Sequence, residues 1–218
     1  MEWTATLRDC VGRLAREAGS QAAVVGAGAP LTYADLHARA LSLAAGFRGL
    51  GLGPGDIVAV QLPNGVEFVT CYLAAGYIGA TLQTIHMPYR GAEVETLLAH
   101  SRAAAAVCLA QGKDASPAEV ILSRKPKLPN LRHVIAVGAP MPGTTSFASV
   151  AATPADEAAL PPVDATDRFV LLYTSGTTAA PKGVPVDYAR FLFNASRSAD
   201  ELEIDRTSIL LSAAPYTH

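Results

Sequence analysis

Residues 57–85 read IVAVQLPNGVEFVTCYLAAGYIGATLQTI, and they predict a strand, a helix and a second strand in direct succession. Residues 57–62 form an apolar run bounded by turn residues, which is typical of a strand buried on both faces of a sheet. Residues 65–78 place apolar side chains at helical spacing, and residues 80–85 return to an extended pattern. Because a helix that joins two such strands builds a right-handed β-α-β unit, this stretch predicts parallel strands.

A membrane span is an alternative for part of this stretch, because residues 66–85 are long and mostly apolar. Glycines and polar residues nevertheless interrupt the run, namely Gly76, Gly79, Thr81, Gln83 and Thr84. We therefore expect a buried helix followed by a buried strand, and no membrane span.

The alternation of helix and strand continues on both sides of this unit. Apolar runs at residues 104–109 and 133–137 are typical of buried strands, and helical spacing separates them. Residues 169–173 and 208–212 predict two more strands, the second close to the end of the chain. Strands separated by helices favour an α/β fold with a mostly parallel sheet and flanking helices.

The composition changes once along the chain. Residues 138–166 hold five prolines together with Gly, Ser, Thr and Ala, a mixture that is typical of a surface linker. We predict an N-terminal α/β subdomain over residues 1–137, a proline-rich linker over residues 138–166, and the start of a second subdomain over residues 167–218. Because the sequence stops just after a predicted buried strand, we expect this second subdomain to be incomplete.

Composition and charge argue against several classes of protein. Half of the residues are hydrophobic, and the mean hydropathy is +0.25, which is too apolar for a disordered chain. The net charge is −2 and the basic residues are scattered, so we expect no nucleic-acid partner. The three cysteines show no metal-binding spacing, and the N-terminus shows no signal peptide pattern. Both observations favour a cytoplasmic protein with reduced thiols.

Residues 173–184, YTSGTTAAPKGV, carry the chemistry of the sequence. An apolar strand leads into four hydroxyl side chains around a glycine, and Lys182 follows. Backbone N–H groups in such a turn form a concave anion site, to which the hydroxyls add hydrogen bonds and the lysine adds positive charge. The stretch is not a Walker loop, because Lys182 precedes Gly183 and an extended run follows. The segment suits a bound polyphosphate, although composition alone leaves an exposed Ser/Thr-rich loop as an equal alternative.

The order of residues in this stretch resembles the phosphate-binding signature of the acyl-adenylate-forming superfamily, the AMP-dependent synthetases and ligases. The usual form of that signature is Y-T-S-G-T-T-G-x-P-K-G-V, and the chain differs from it at Ala179, where the family has glycine. Three further stretches resemble family motifs: residues 31–36 (LTYADL), residues 53–60 (GPGDIVAV) and residues 215–218 (PYTH), where Thr217 replaces an aromatic residue. The resemblance covers nearly the whole chain and implies part of the N-terminal domain of an adenylate-forming ligase.

The resemblance also implies a two-step reaction. A carboxylic acid attacks the α-phosphate of ATP, which is bound with Mg²⁺, and pyrophosphate leaves; a thiol, often coenzyme A, then takes the acyl group. Lys182 and His218 are the implied catalytic residues. The implied ligands of the β- and γ-phosphates are Thr174, Ser175, Gly176, Thr177, Thr178 and Lys182.

Three functions remain open at this point. The first is an acyl-CoA synthetase, for example one of fatty acid metabolism. Residues 85–91 favour it, because they depart from the usual P-L-N-P of the family and resemble small-acid or fatty-acid CoA ligases more than peptide-synthetase domains. The second is an adenylation domain that loads a carrier protein, and the third is a non-catalytic nucleotide-binding module, which Ala179 motivates. We interpret His86 and Arg90 as surface or packing residues, and we predict no metal ligands within the chain.

Overall fold

A single seven-stranded sheet forms the centre of the fold in a computed structural model. The structure describes residues 4–26, 29–113, 115–139, 141–174 and 181–217. The strands within these residues are β1 (Ala22–Val24), β2 (Leu31–Thr32), β3 (Ile57–Gln61), β4 (Thr81–Thr84), β5 (Ala105–Leu109), β6 (His133–Val137), β7 (Thr145–Ser146), β8 (Arg168–Thr174) and β9 (Lys182–Asp187). The α-helices are α1 (Leu7–Glu17), α2 (Tyr33–Gly49), α3 (Val66–Tyr77), α4 (Gly91–Ser101), α5 (Pro117–Arg124), α6 (Phe147–Ala151) and α7 (Tyr188–Glu201).

The sheet is parallel except at one edge. Its strand order is β7-β6-β5-β3-β4-β8-β9, and β1 pairs with β2 in a separate small sheet. All neighbouring pairs in the large sheet are parallel apart from β8 and β9, which are antiparallel. The predicted fold class, α/β with a mostly parallel sheet, is confirmed.

Helices cover both faces of the sheet. Successive strand residues point to opposite faces, so Val58 and Val60 join one core while Ala59 joins the other. Helices α1, α2, α3, α6 and α7 contribute buried side chains to the first core, and α4 and α5 contribute to the second. The two-sided burial explains why the central strands read as continuous apolar runs.

The stretch LTYADL begins a helix for a physical reason. Thr32 precedes α2, and its hydroxyl accepts a hydrogen bond from the Asp35 N–H at 3.1 Å. The Asp35 carboxylate accepts the Thr32 N–H at 3.2 Å in return. This reciprocal capping box satisfies two N–H groups that would otherwise lack partners at the start of the helix, so Thr32 and Asp35 together begin α2.

The apolar residues 66–85 form a buried helix and a buried strand, α3 and β4, as predicted. Among the described residues, no helix combines the length and the apolar character that crossing a bilayer requires.

Two expectations differ from the structure. Residues 208–212, predicted to be a strand, have no assigned secondary structure, and Ile209, Leu210 and Leu211 are 92%, 71% and 94% exposed. A strand needs a neighbouring strand for its backbone hydrogen bonds, and the described residues provide none there. The predicted proline-rich linker, residues 138–166, contains β7 at the sheet edge and α6, whose Val150 is buried in the first core. The predicted subdomain boundaries themselves stay a prediction.

The contact between α2 and α6 leads to a stability prediction. A Cβ on Gly46 would overlap the carbonyl oxygen of Val150 and lie 2.6 Å from its Cγ1. Gly46→Ala therefore lowers the free energy of unfolding by about 1–3 kcal/mol through overpacking, although alanine favours helices by about 1 kcal/mol over glycine. Urea denaturation followed by circular dichroism measures the effect.

The matched control is Gly49→Ala in the same helix, where a Cβ would meet no atom within 4 Å. We expect this variant to be as stable as the original chain or slightly more stable. Equal stabilities of the two variants would contradict the docking of α6 on α2.

Candidate phosphate-binding site

The candidate site lies where the parallel strands end. In open α/β sheets, ligands bind outside the carboxyl ends of the strands, because the loops there lie together at one edge. Strands β3, β4 and β8 end at this edge with Gln61, Thr84 and Thr174. Since β3 pairs with β4 and β4 pairs with β8, their following segments are neighbours.

Thr174 and Lys182 face each other across a hairpin. They are Cα partners at the last described position of the β8–β9 ladder, and both residues are exposed. None of the ion pairs between described residues includes Lys182. An exposed hydroxyl and an exposed ammonium group therefore flank the connection between the two strands, and both can interact with an anion bound there.

Five of the predicted site residues lie outside the described residues: Ser175, Gly176, Thr177, Thr178 and His218. The position of Ala179, the departure from the family signature, also lies outside them. Their predicted roles, and those of Thr174 and Lys182, remain predictions.

Tyr173, the first residue of the signature, is held from the side by α4. Its hydroxyl lies 2.8 Å from Nδ1 of His100, and the two rings pack edge to face with centroids 5.6 Å apart. Burial raises the pKa of the Tyr173 phenol, and a hydrogen bond with the Ser101 side chain partly offsets that effect. The phenol thus stays protonated at neutral pH and keeps a hydrogen available for bonding.

The segment before His218 docks on the same edge of the sheet through Asn64. The Asn64 side chain donates to the carbonyl of Ala214 at 2.7 Å and accepts the Tyr216 N–H at 2.7 Å. The Tyr216 ring packs against Phe68 with centroids 5.6 Å apart. One side-chain amide therefore pairs with the backbone of the terminal segment as a neighbouring strand would.

Thr217 adds two more contacts next to His218. Its carbonyl accepts a hydrogen bond from the Thr84 hydroxyl at 3.1 Å, and its own hydroxyl lies 2.8 Å from Nδ1 of His86. Since Thr84 ends β4, these bonds bring the residue before His218 to the edge at which β8 delivers Thr174.

Sequence reasoning missed Asn64, His86 and Gln61 as members of this region. The Gln61 amide is 2% exposed and donates to the carbonyls of His86 and Tyr89 at 3.0 and 3.2 Å, which supports the loop after β4. The available signal was a polar residue at the end of a buried strand, Gln61, and a second one three residues beyond that end, Asn64. Arg90 is exposed and its guanidinium donates to carbonyls of its own loop, in line with the surface interpretation.

The residues that the structure describes contain no group of three or more His, Cys, Asp or Glu side chains arranged to hold a metal ion. The three cysteines are free thiols, and burial raises the pKa of Cys108 to about 12.

Residues 12–218 match the family of AMP-binding enzymes, and the chain belongs to that family of adenylate-forming ligases. A salicyl-AMP ligase / salicyl-S-ArCP synthetase of Mycobacterium tuberculosis is 36% identical over 86% of this chain and 33% of its own length. A medium-chain fatty-acid–CoA ligase of Escherichia coli is 30% identical over 98% of this chain and 38% of its own length. The apo structure of MbtA from Mycobacterium smegmatis superimposes with a TM-score of 0.89 at 31% identity, covering all of this chain and 40% of that one.

The chain spans about a third of the length of such curated relatives, between 33% and 37% for three of them. The resemblance inferred from residues 173–184 is confirmed at the level of the family. The acid and the thiol acceptor differ among the relatives, so the family alone does not assign either of them.

The Asn64 clamp leads to a local prediction. Asn64→Ala removes both hydrogen bonds to the 214–216 backbone. Since each bond contributes about 1 kcal/mol, amide hydrogens in residues 212–217 should then exchange about thirtyfold faster. Hydrogen exchange read by mass spectrometry measures it. Asn130→Ala, at an exposed turn position, is the control and should leave this segment unchanged; unchanged exchange in Asn64→Ala would contradict the clamp.

Proposed function

We propose that this chain is the part of an acid–thiol ligase that binds the phosphates of ATP, in an enzyme that converts a carboxylic acid to an acyl-adenylate and passes the acyl group to coenzyme A. The observation that carries the proposal is the pairing of exposed Thr174 and Lys182 across the β8–β9 hairpin, at the carboxyl edge of a parallel sheet. Membership in the AMP-binding enzyme family supports it.

The donor set fits a polyphosphate. A lysine ammonium group is a compact charge that binds phosphate, and a threonine hydroxyl donates to a phosphate oxygen while its own oxygen remains free to accept. The hairpin connection between these two residues contains three more hydroxyl side chains and a glycine. Together these groups suit the β- and γ-phosphates of ATP, with which Mg²⁺ is expected to bind.

The proposed first step is an in-line displacement at the α-phosphate. A carboxylate oxygen of the acid forms the new bond to phosphorus while the bond to the leaving pyrophosphate breaks. Negative charge moves onto the pyrophosphate, and in this proposal Lys182 stabilises that charge by electrostatic attraction. The thiol then attacks the acyl carbon and AMP leaves, which conserves the acyl group as a thioester.

A second candidate has a specific observation in its favour. The 36% identical relative is named a salicyl-S-ArCP synthetase as well as a salicyl-AMP ligase, so a protein-bound thiol is the alternative acceptor to coenzyme A. Both candidates use the same phosphate site and differ only in the second step. A cytoplasmic location accompanies either candidate as a sequence-based prediction.

The test is the product formed by the full-length gene product that contains this chain. Incubation with ATP, Mg²⁺ and a panel of aryl and fatty acids, with and without coenzyme A, is followed by mass spectrometry. Formation of an acyl-AMP that becomes acyl-CoA supports the proposal. Acyl-AMP that accumulates unchanged with coenzyme A would favour the carrier-protein acceptor, and the absence of any acyl-AMP would contradict both.

A further inference from the structure

Tyr173 lies at the point where the signature hairpin leaves the protein core. Its side chain packs against the second core, while the next residue, Thr174, is exposed. Tyr173 is the Cα partner of Gly183, and a Cβ on Gly183 would lie 3.4 Å from two atoms of the tyrosine ring. The ring therefore lies against both arms of the hairpin, one residue before Thr174 and one residue after Lys182.

The Tyr173 hydroxyl forms a hydrogen bond with α4, a helix whose apolar side chains are buried in the second core. His100 lies in the last turn of α4, and Val94, Leu97 and Leu98 of that helix are 0%, 4% and 2% exposed. The 2.8 Å bond from the Tyr173 hydroxyl to Nδ1 of His100 links residues 73 positions apart in sequence. A buried helix changes position less readily than an edge hairpin, so a hydrogen bond to α4 restricts the movement of the hairpin.

We propose that His100 is a positioning residue for phosphate binding: through its hydrogen bond to Tyr173 it fixes the base of the β8–β9 hairpin, and so the placement of Thr174 and Lys182. The inference rests on the proposed function for the identity of the ligand. His100 lies in α4, outside residues 173–184, so this role adds a residue to those of the signature. The Tyr173 hydroxyl donates to Nδ1 when the neutral imidazole carries its hydrogen on Nε2.

The inference predicts the effect of four variants of the full-length gene product. Tyr173→Phe and His100→Phe each keep an aromatic ring and remove the hydrogen bond, and each should raise KM for ATP in acid-dependent ATP–pyrophosphate exchange about fivefold. The double variant should be no worse than either single variant, since both remove the same bond. His100→Asn, whose side-chain amide has an acceptor near the position of Nδ1, should stay within about twofold of the original.

Tyr188→Phe is the matched control for a purely structural role. The Tyr188 hydroxyl is buried and donates to the Gly76 carbonyl at 2.7 Å, so this variant also loses one tyrosine hydrogen bond, in the first core rather than at the second. It should lower stability without changing KM for ATP. A KM for Tyr173→Phe equal to that for Tyr188→Phe would overturn the inference.

A second measurement separates this inference from the proposed function. Hydrogen exchange at the paired backbone of residues 171–174 and 182–184 should be faster in Tyr173→Phe and His100→Phe than in the original protein, and unchanged in Tyr188→Phe. If the original protein shows no exchange of pyrophosphate with any acid, the proposed function fails, and faster amide exchange still supports positioning of the hairpin by His100. Unchanged amide exchange in Tyr173→Phe overturns the inference whatever the activity.

Discussion

Lys182→Ala in the full-length gene product is expected to lower kcat/KM for acid-dependent ATP–pyrophosphate exchange by about 100-fold, the effect of removing one group that stabilises developing charge. Lys182 is exposed beside Thr174 at the mouth of the hairpin, and none of the ion pairs formed among the described residues uses its charge. Its ammonium group is therefore available to a bound phosphate. The exchange rate at several ATP concentrations separates the loss of binding from the loss of rate.

The control for charge removal is Lys127→Ala. Lys127 is also a surface lysine, since its side chain is 64% exposed and pairs with Glu95 at 3.1 Å. It precedes β6 and therefore lies at the amino edge of the sheet. We expect the ATP–pyrophosphate exchange rate of Lys127→Ala to stay within about twofold of the original rate, because an exposed ion pair contributes little. An unchanged rate in Lys182→Ala would show that the lysine does not act on the phosphates.

Phe169→Ala is expected to lower the free energy of unfolding of this chain by about 3–5 kcal/mol, the usual cost of emptying a buried aromatic site. Phe169 is fully buried in β8, and its ring stacks on Tyr188 at 4.7 Å and meets Tyr72 and Phe191 at 4.8 and 5.1 Å. It joins β8, which ends in Thr174, to α3 and α7. Urea denaturation followed by far-UV circular dichroism measures the loss.

The matched control is Phe193→Ala in α7, where the phenylalanine is 48% exposed. Its truncation removes less buried apolar surface and should cost less than about 1 kcal/mol. Similar losses for the two variants would contradict the packing of β8 on α3 and α7.

The central part of the fold could be predicted because the hydrophobic pattern of each strand and helix lies within one short stretch of sequence. Residues 57–85 contain complete strand and helix periods, and the structure has β3, α3 and β4 there. The strand predicted at residues 133–137 coincides with β6, since turn residues bound it on both sides.

The error at residues 208–212 has a different cause. Apolar periodicity shows that a segment can be buried, but it does not show that a neighbouring strand is present. In the structure Ile209 and Leu211 are almost fully exposed. The prolines of residues 138–166 favour a linker, and the sequence pattern does not reveal β7 and α6 within it. Both elements are too short to show the hydrophobic periodicity of a strand or a helix.

The sequence predicts candidate site residues only where they follow one another along the chain, and their roles stay a prediction. Thr174 and Lys182 flank a short connection between extended runs, and a hairpin brings such residues together. The clamp by Asn64 joins positions 150 and 152 residues apart, and the bond from His100 to Tyr173 crosses from another helix. Contacts at such separations depend on the topology of the sheet, which the sequence pattern does not specify.

The most direct test of the proposed function is exchange of labelled pyrophosphate into ATP by the full-length gene product. Exchange requires that ATP is cleaved at the α-phosphate and re-formed, so it reports the adenylation step without depending on the thiol acceptor. We predict exchange that depends on one class of carboxylic acid and that falls about 100-fold in Lys182→Ala. Tight ATP binding with no exchange across a broad panel of acids would contradict the account and identify the chain as part of a nucleotide-binding protein that does not activate acids.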